Sequence, residues 1–237
     1  KTVFECFPSK GRATAMGIKQ TGVPIGGVLG AMVAGTFVTQ YGRTDVLYGF
    51  AIIIFAASLT GFLIPGQVKR PTTNILLGMM VVLRDKNLQI FNTAIGIFQA
   101  SMYAMLSNIA AFAREVLNAE PTWASCCLSI AQASSATGRL GWGALSDLMF
   151  AARRKPVLLI IGISGTLCLL TMALFASNWP FYLVLALAVP TGLATAGYVG
   201  LTQTITVESA DPSLTATAVG SNRIFTSVGA GLGVQFF

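Results

Sequence analysis

The chain has 237 residues, 54% hydrophobic and only 10% charged, with a formal net charge of +7. That polar content cannot cover a soluble globule, and the mean hydropathy of +0.73 points the same way. Histidine is absent, which excludes imidazole triads, His general bases and His metal ligands, and no cofactor or metal is expected.

The first apolar block covers residues 13–39, and a polar turn follows at 40–45. The second covers 46–64 and is closed by Pro65 and Gly66. Blocks of about 20 apolar residues match the hydrocarbon core of a bilayer. Lipid offers a backbone no hydrogen-bond partner, so such blocks are helices. Residues 65–87 form the longest polar stretch, with Lys69, Arg70, Arg84 and Lys86 around an apolar run at 75–83. That run is too short to span, so it predicts an interfacial or packed short helix within a linker.

The third block is 88–113, the loop 114–121 follows, and the fourth block is 122–145 with a basic loop after it. Pro156 opens the fifth block, which runs to 176, and 177–179 is a tight turn. The sixth block, 180–203, is interrupted by Pro190, Gly192, Gly197 and Gly200; a bending gate at Pro190 and a static kink are both open readings. The seventh starts near 214. The expected fold class is therefore all-α, a polytopic helical membrane protein with seven transmembrane helices. Cys6, Cys126, Cys127 and Cys168 have no CxxC spacing and read as small packed hydrophobes. A first residue that is Lys, and a last stretch, 233–237, that stops inside an apolar block, predict a piece of a longer protein.

Alternate loops carry Lys10 and Arg12, then Lys69, Arg70, Arg84 and Lys86, then Arg153, Arg154 and Lys155. The other loops carry only Arg43 and Arg114. This asymmetry puts the first residues on the cytoplasmic side and favours a membrane over a nucleic-acid partner. The chain also repeats itself. PSKGRATAMG at 8–17 matches PSLTATAVG at 212–220 with one gap. Gly26, Leu29 and Gly30 match Gly229, Leu232 and Gly233, and Glu5 matches Glu208. The offset encloses six spans, an even number, as in a parallel repeat of two six-helix halves.

Two segments carry a family resemblance. GRLGWGALSDLMFAARRK at 138–155 resembles the loop signature between the eighth and ninth helices of the major facilitator superfamily. GRATAMGIKQTGVPIGGVLG at 11–30 resembles its fifth helix, in wording similar to the cyanate-permease-like and organic-anion symporter-like branches. The resemblance implies helices five to eleven of a twelve-helix transporter. Residues 1–64 would end the N-terminal half, 65–87 would be the cytoplasmic central linker, and 88–237 would belong to the C-terminal half. Gly22-Val23-Pro24 departs from the Gly-Pro pair of the drug-antiporter motif and counts against drug efflux.

Several residues then become candidates. Gly22, Gly26 and Gly30 form a double GxxxG, and the fourth block offers a small face of Ala131, Ser134, Ser135 and Gly138. Together these suggest a smooth surface between halves or ordinary tight packing. By resemblance, Asp147 docks at the start of the fifth helix as a gate, with Arg12 or Arg139 as ion partner and Arg153 and Arg154 in the basic cluster behind it. Lys19 and Arg223 lie within spans, where a charge is costly and usually faces a cavity or a partner, so both are candidates for binding an anionic substrate between the halves; snorkelling of Lys19, or pairing with an acid of the missing helices, is the alternative. The repeat sets Gln20 opposite Arg223. Asn92, Gln99 and Tyr103 share one helical face, either lining a cavity or bonding between helices.

The expected function is a secondary active transporter of a small anionic solute, working by alternating access with a coupled ion, the proton. A multidrug or neutral-solute exporter is the alternative, and a seven-helix receptor or sensor a more distant one. An enzyme is not expected. The partners are the lipid bilayer, a small-molecule anion and a coupled proton, with no nucleic acid. The full-length protein is expected to be a monomer, multi-pass in the cytoplasmic or inner membrane.

Overall fold

A computed structural model of the chain describes residues 7–8, 11–63, 75–175 and 179–235. Among them are eight α-helices, one 3-10 turn and no strand. Helix α1, Arg12–Leu59, is two helices parted by a kink at Gly42, whose φ of 85° is costly for a side chain but open to glycine. This is the polar turn that the sequence marks at 40–45. The second leg, Thr44–Phe62, ends in the 3-10 turn Thr60–Leu63 and is largely apolar after Asp45, with no buried residue. Ile52, Ile53, Ile54 and Phe55 are all exposed, as a lipid-facing surface requires. Of the expected linker, 64–74 lie outside the described residues. Its apolar run forms α2, Ile75–Arg84.

Asp85 separates α2 from α3, Lys86–Glu115, and caps α3 by accepting from the amides of Asn87 and Leu88 at 3.0 and 3.2 Å. Helix α4 is Pro121–Leu148, with proline at its first turn. It runs past the expected end at 145, so Asp147 sits in its last turn rather than in a loop. A tight turn through Ala151 and Ala152, with φ of 48° and 64°, then leads into α5, Arg154–Phe175. The sixth block becomes two helices, α6, Phe181–Ala196, and α7, Val199–Ser209. The break falls at Gly197 and Tyr198, and α6 passes through Pro190 without one. Before α8, Thr215–Gln235, Asp211 accepts from the amide and hydroxyl of Ser213, which holds its carboxyl below the usual range.

Among the described residues, four stretches are long and apolar enough to cross a membrane: Thr44–Phe62, Lys86–Glu115, Arg154–Phe175 and Phe181–Ser209, the last joining α6 and α7. Helices α4 and α8 are long enough but rich in Ser, Thr and Gly, and each carries an arginine. This is an all-α polytopic membrane protein. The first leg of α1 lies along α4 and touches α7; α4 also packs on α6, α3 on α8, and α5 on α6. Helix α2 lies against α8, with Val82, Leu88 and Ala218 forming a small buried cluster. The central core brings together Ile95 and Met102 of α3, Val157 and Ile161 of α5, and Tyr198 and Leu201 at the α6–α7 break.

Small residues set these contacts, but not in the pairing suggested by the sequence. Nothing lies within 4 Å of a Cβ built on Gly22, Gly26 or Gly30, so the GxxxG face looks away from α4. Its neighbours do the packing. Gly17 meets the Arg139 carbonyl, Gly27 meets the Gln132 amide, and Gly143 of α4 meets the Ala13 carbonyl. The small face of α4 is used against α6: Gly138 approaches the Leu193 carbonyl, and the Ala131 carbonyl lies against Gly192. A methyl group at 143 would stand 2.6 Å from the Ala13 carbonyl oxygen. Gly143→Leu is expected to cost about 1–3 kcal/mol and lower the thermal midpoint in detergent. Gly26→Ala should stay within about 0.5 kcal/mol of the parent in the same melt. Equal losses in the two variants would put the α1–α4 contact on the wrong face.

Candidate functional site

The bundle end that carries Arg12, Arg153, Arg154 and Lys155 holds a buried charge network. Asp147, delivered by the last turn of α4, reaches the first turn of α1. Its Oδ2 accepts from the Thr14 amide at 3.0 Å and from the Thr14 hydroxyl at 2.7 Å. The start of a helix leaves amides without partners and is electropositive, so a carboxylate is stabilised there. The other oxygen, Oδ1, accepts from Nη1 of Arg154 in a close ion pair. The turn at 150–153 brings Arg154 back beside Asp147.

Arg154 has more work than one pair. Its Nη1 donates to the Ser146 hydroxyl at 3.0 Å. Its Nε and Nη2 form a fork on the Glu208 carboxylate, at 3.3 and 3.2 Å. Glu208 is in the last turn of α7. A single guanidinium therefore ties together α4, α5 and α7, and Asp147 adds α1. Arg154 is 6% exposed and the Asp147 side chain 4%, so the pair has little water around it. A buried ion pair holds only when its remaining donors and acceptors are filled, and here Thr14, Ser146 and Glu208 fill them.

Two other arginines singled out by the sequence lie elsewhere. The Nε of Arg12 donates to the Phe7 carbonyl at 3.0 Å, and the ion pair of Asp147 is made with Arg154 rather than with the expected Arg12 or Arg139. Arg153 is exposed. Glu208, Thr14 and Ser146 were not among the sequence candidates. Glu208 had one signal, its match to Glu5 in the repeat, at the polar end of an apolar block.

Further into the bundle lies Arg139, in mid-α4 and 4% exposed. Its Nη1 donates to the Gln20 carbonyl of α1 at 2.7 Å, and its Nε to the Ala196 carbonyl of α6 at 3.4 Å. Among the described residues no carboxylate pairs with it. Tyr198 and Tyr103 are close enough to interact with its charge. The Tyr198 hydroxyl donates to Gln99 Oε1 at 2.8 Å, and its ring meets Phe98 edge-on with centroids 5.2 Å apart. Gln99 and Tyr103 of α3 thus share one polar region with Arg139 and with Gln20, which is 8% exposed. Tyr103 itself is 39% exposed.

The remaining candidates separate. Asn92 is wholly buried between α3 and α8: its amide donates to Ser221, and its oxygen accepts from Asn222 at 2.9 Å. That is interhelical bonding, the alternative to cavity lining. Arg223, next along α8, is exposed, as is Lys19 on α1. A groove of about 1130 Å³ runs between α3 and α5. Its walls are mostly apolar, with Ile90, Ile97, Leu159 and Ile163 among them; Asp85, Lys155 and Ser209 are polar, and so are Ser101, Thr166 and Thr195. It has lipid-like character and lies apart from Arg139.

No curated protein and no solved structure matches the chain. The sequence model described as Major Facilitator Superfamily matches residues 2–234. Spanning helices, the carboxylate docked at the start of α1 and that match agree, and the chain belongs to the major facilitator superfamily of secondary membrane transporters.

Proposed function

We propose that the chain moves a small anionic solute by alternating access, coupled to a proton, across a cytoplasmic membrane. The observation that carries this reading is the distribution of charge. Among the described residues every Asp and Glu lies in a loop or at a helix end, counting the start of the second leg of α1 after Gly42, whereas Lys19, Arg139 and Arg223 lie within helices. A cation at membrane depth needs a partner or a polar cavity. Arg139 has carbonyls and tyrosines around it but no carboxylate among the described residues, so an anion arriving there meets an uncompensated charge. Gln99, Tyr103 and Gln20 supply polar groups beside it. Lys19 and Arg223, both exposed, serve as approach charges on the two repeats.

The Asp147 network acts as the gate of this carrier. It joins α1, of the proposed first half, to α4, α5 and α7 of the second, and closes the basic end of the bundle. Moving α1 away requires Thr14 to leave Asp147, which leaves a buried carboxylate with one fewer set of donors. The end turn of α1 then loses its anion as well.

Uptake by the reconstituted protein tests the solute class, with labelled small anions, neutral solutes and cations offered in parallel. Arg223→Gln and Lys19→Gln are each expected to lower anion uptake at least about tenfold, the effect of losing about 1.4 kcal/mol of attraction. Uptake limited to neutral or cationic solutes would sink the anion reading and recast both cations as structural charges. The gate makes a separate prediction. Asp147→Asn keeps the shape but removes the charge, and about 1–2 kcal/mol lost from the closed basic end shifts the open-to-closed ratio about 5–30-fold. Spin labels across that end should read a longer distance population in Asp147→Asn. An unchanged distance distribution would remove Asp147 from the gate.

A further inference from the structure

In an α-helix the carbonyl of residue i accepts from the amide of residue i+4. For Gln20 in α1 that residue is Pro24, which has no amide hydrogen. The pyrrolidine ring also crowds the carbonyl four residues back. Pro24 is fully buried, so the Gln20 carbonyl has lost its own helix's donor at a place shielded from water. Arg139 supplies the missing donor from α4, at 2.7 Å.

The same guanidinium serves a second helix irregularity. Ala196 is the last residue of α6, before the break at Gly197 and Tyr198. Its carbonyl takes the Arg139 Nε at 3.4 Å and the Ser135 hydroxyl at 3.0 Å. The approach of α1 that makes this possible depends on Gly17, because any Cβ there would collide with the Arg139 carbonyl oxygen.

We propose that Arg139 is a transferable cap for the carbonyl that Pro24 orphans, a clasp holding α1 on α4 and α6 that must open when α1 moves. The inference rests on the reading of the chain as an alternating-access carrier. While the clasp is shut, Gln20 needs nothing from its own helix. When α1 leaves α4, the carbonyl is bare until water or another donor reaches it, so the departure of α1 is tied to the release of Arg139. Arg139 acts here as a positioning residue, through the backbone of α1.

The test is a double-mutant cycle on the reconstituted full chain. Pro24→Ala restores an amide hydrogen at position 24, so Gln20 can bond within its own helix. Arg139→Met removes the clasp, and Arg139→Lys keeps the charge with fewer donors. Two quantities are read in each protein: the thermal midpoint, and deuterium uptake by the segment of α1 around Gln20. Arg139→Met should speed α1 exchange at least about twofold more in the native-proline background than in Pro24→Ala, the low end of coupling between contacting residues. Arg139→Lys should fall between wild type and Arg139→Met. If Arg139→Met cannot be recovered folded alone, recovery in the Pro24→Ala background supports the clasp. Equal effects in the two backgrounds, or failure to fold in both, would overturn it. Neither readout needs a solute, so the result is separate from the fate of the anion reading.

Discussion

Hydrocarbon offers neither donor nor acceptor, so every backbone carbonyl within the membrane has to find its partner inside the protein. Much of the polar chemistry of this chain answers that constraint. Thr21, Thr191, Thr195, Thr204 and Thr206 return their hydroxyls to carbonyls one turn back along their own helices. The Trp142 indole donates to the Leu193 carbonyl at 2.9 Å, four residues before Gly197. Ser135 and Arg139 take the Ala196 carbonyl at the break itself. Among the described residues no buried side-chain nitrogen or oxygen lacks a partner. The donors here that reach across to another helix, Trp142, Ser135 and Arg139, all come from α4, which explains why it is less apolar than the helices that face outward.

The division of labour between helices follows from the same physics. The second leg of α1 has no buried residue, and its surface is Ile, Leu, Phe and Tyr. In lipid, apolar side chains gain nothing from clustering on each other, so helices associate through close backbone approach and hydrogen bonds. Helices α3 and α8 show this plainly. Gly96 meets Gly229 backbone to backbone, Ala100 meets Gly233, and Asn92 bonds Asn222 and Ser221 a turn away. Asn92 therefore fixes the register of two helices and leaves the polar region to Gln99 and Tyr103.

Much of the fold was legible in the sequence because the apolar blocks and the polar turn at 40–45 report local physics. Block length gives spanning helices, and the run at 75–83 gives α2. What periodicity cannot report is which face of a helix meets protein. Gly22, Gly26 and Gly30 mark one stripe of α1, yet Ala13, Gly17, Gln20, Pro24 and Gly27 mark another; the first four of that second stripe are buried, and Gly27 packs on Gln132. A stripe of small residues and a stripe with one Gln and one Pro look unequal until the Arg139 donor is in view. The partner of Asp147 was hidden for another reason. The sequence offered Arg12, at the helix start that Asp147 reaches, and Arg139, on the same block, but the turn through Ala151 and Ala152 folds Arg154 back instead.

The two arginine sites divide the work of holding α1. Arg139 and Asp147 are eight residues apart on α4, about 12 Å at 1.5 Å per residue. Between them the contact is made by Gly143 against Ala13 and by Gly17 against the Arg139 carbonyl, surfaces with no side chains to interlock. Smooth backbone contact resists sliding little, so the polar bonds at either end set the position of α1. The Asp147 end is charged, and Arg154 ties it to α5 and α7, so it senses the arrangement of the whole second group of helices. The Arg139 end is a charge on neutral carbonyls, and it senses only the local geometry of α1 and the α6–α7 break. A helix pinned in this way can leave its partner only by exchanging both sets of bonds for others. On the proposed alternating-access reading, that requirement would give the carrier two well-separated states rather than a continuous drift between them.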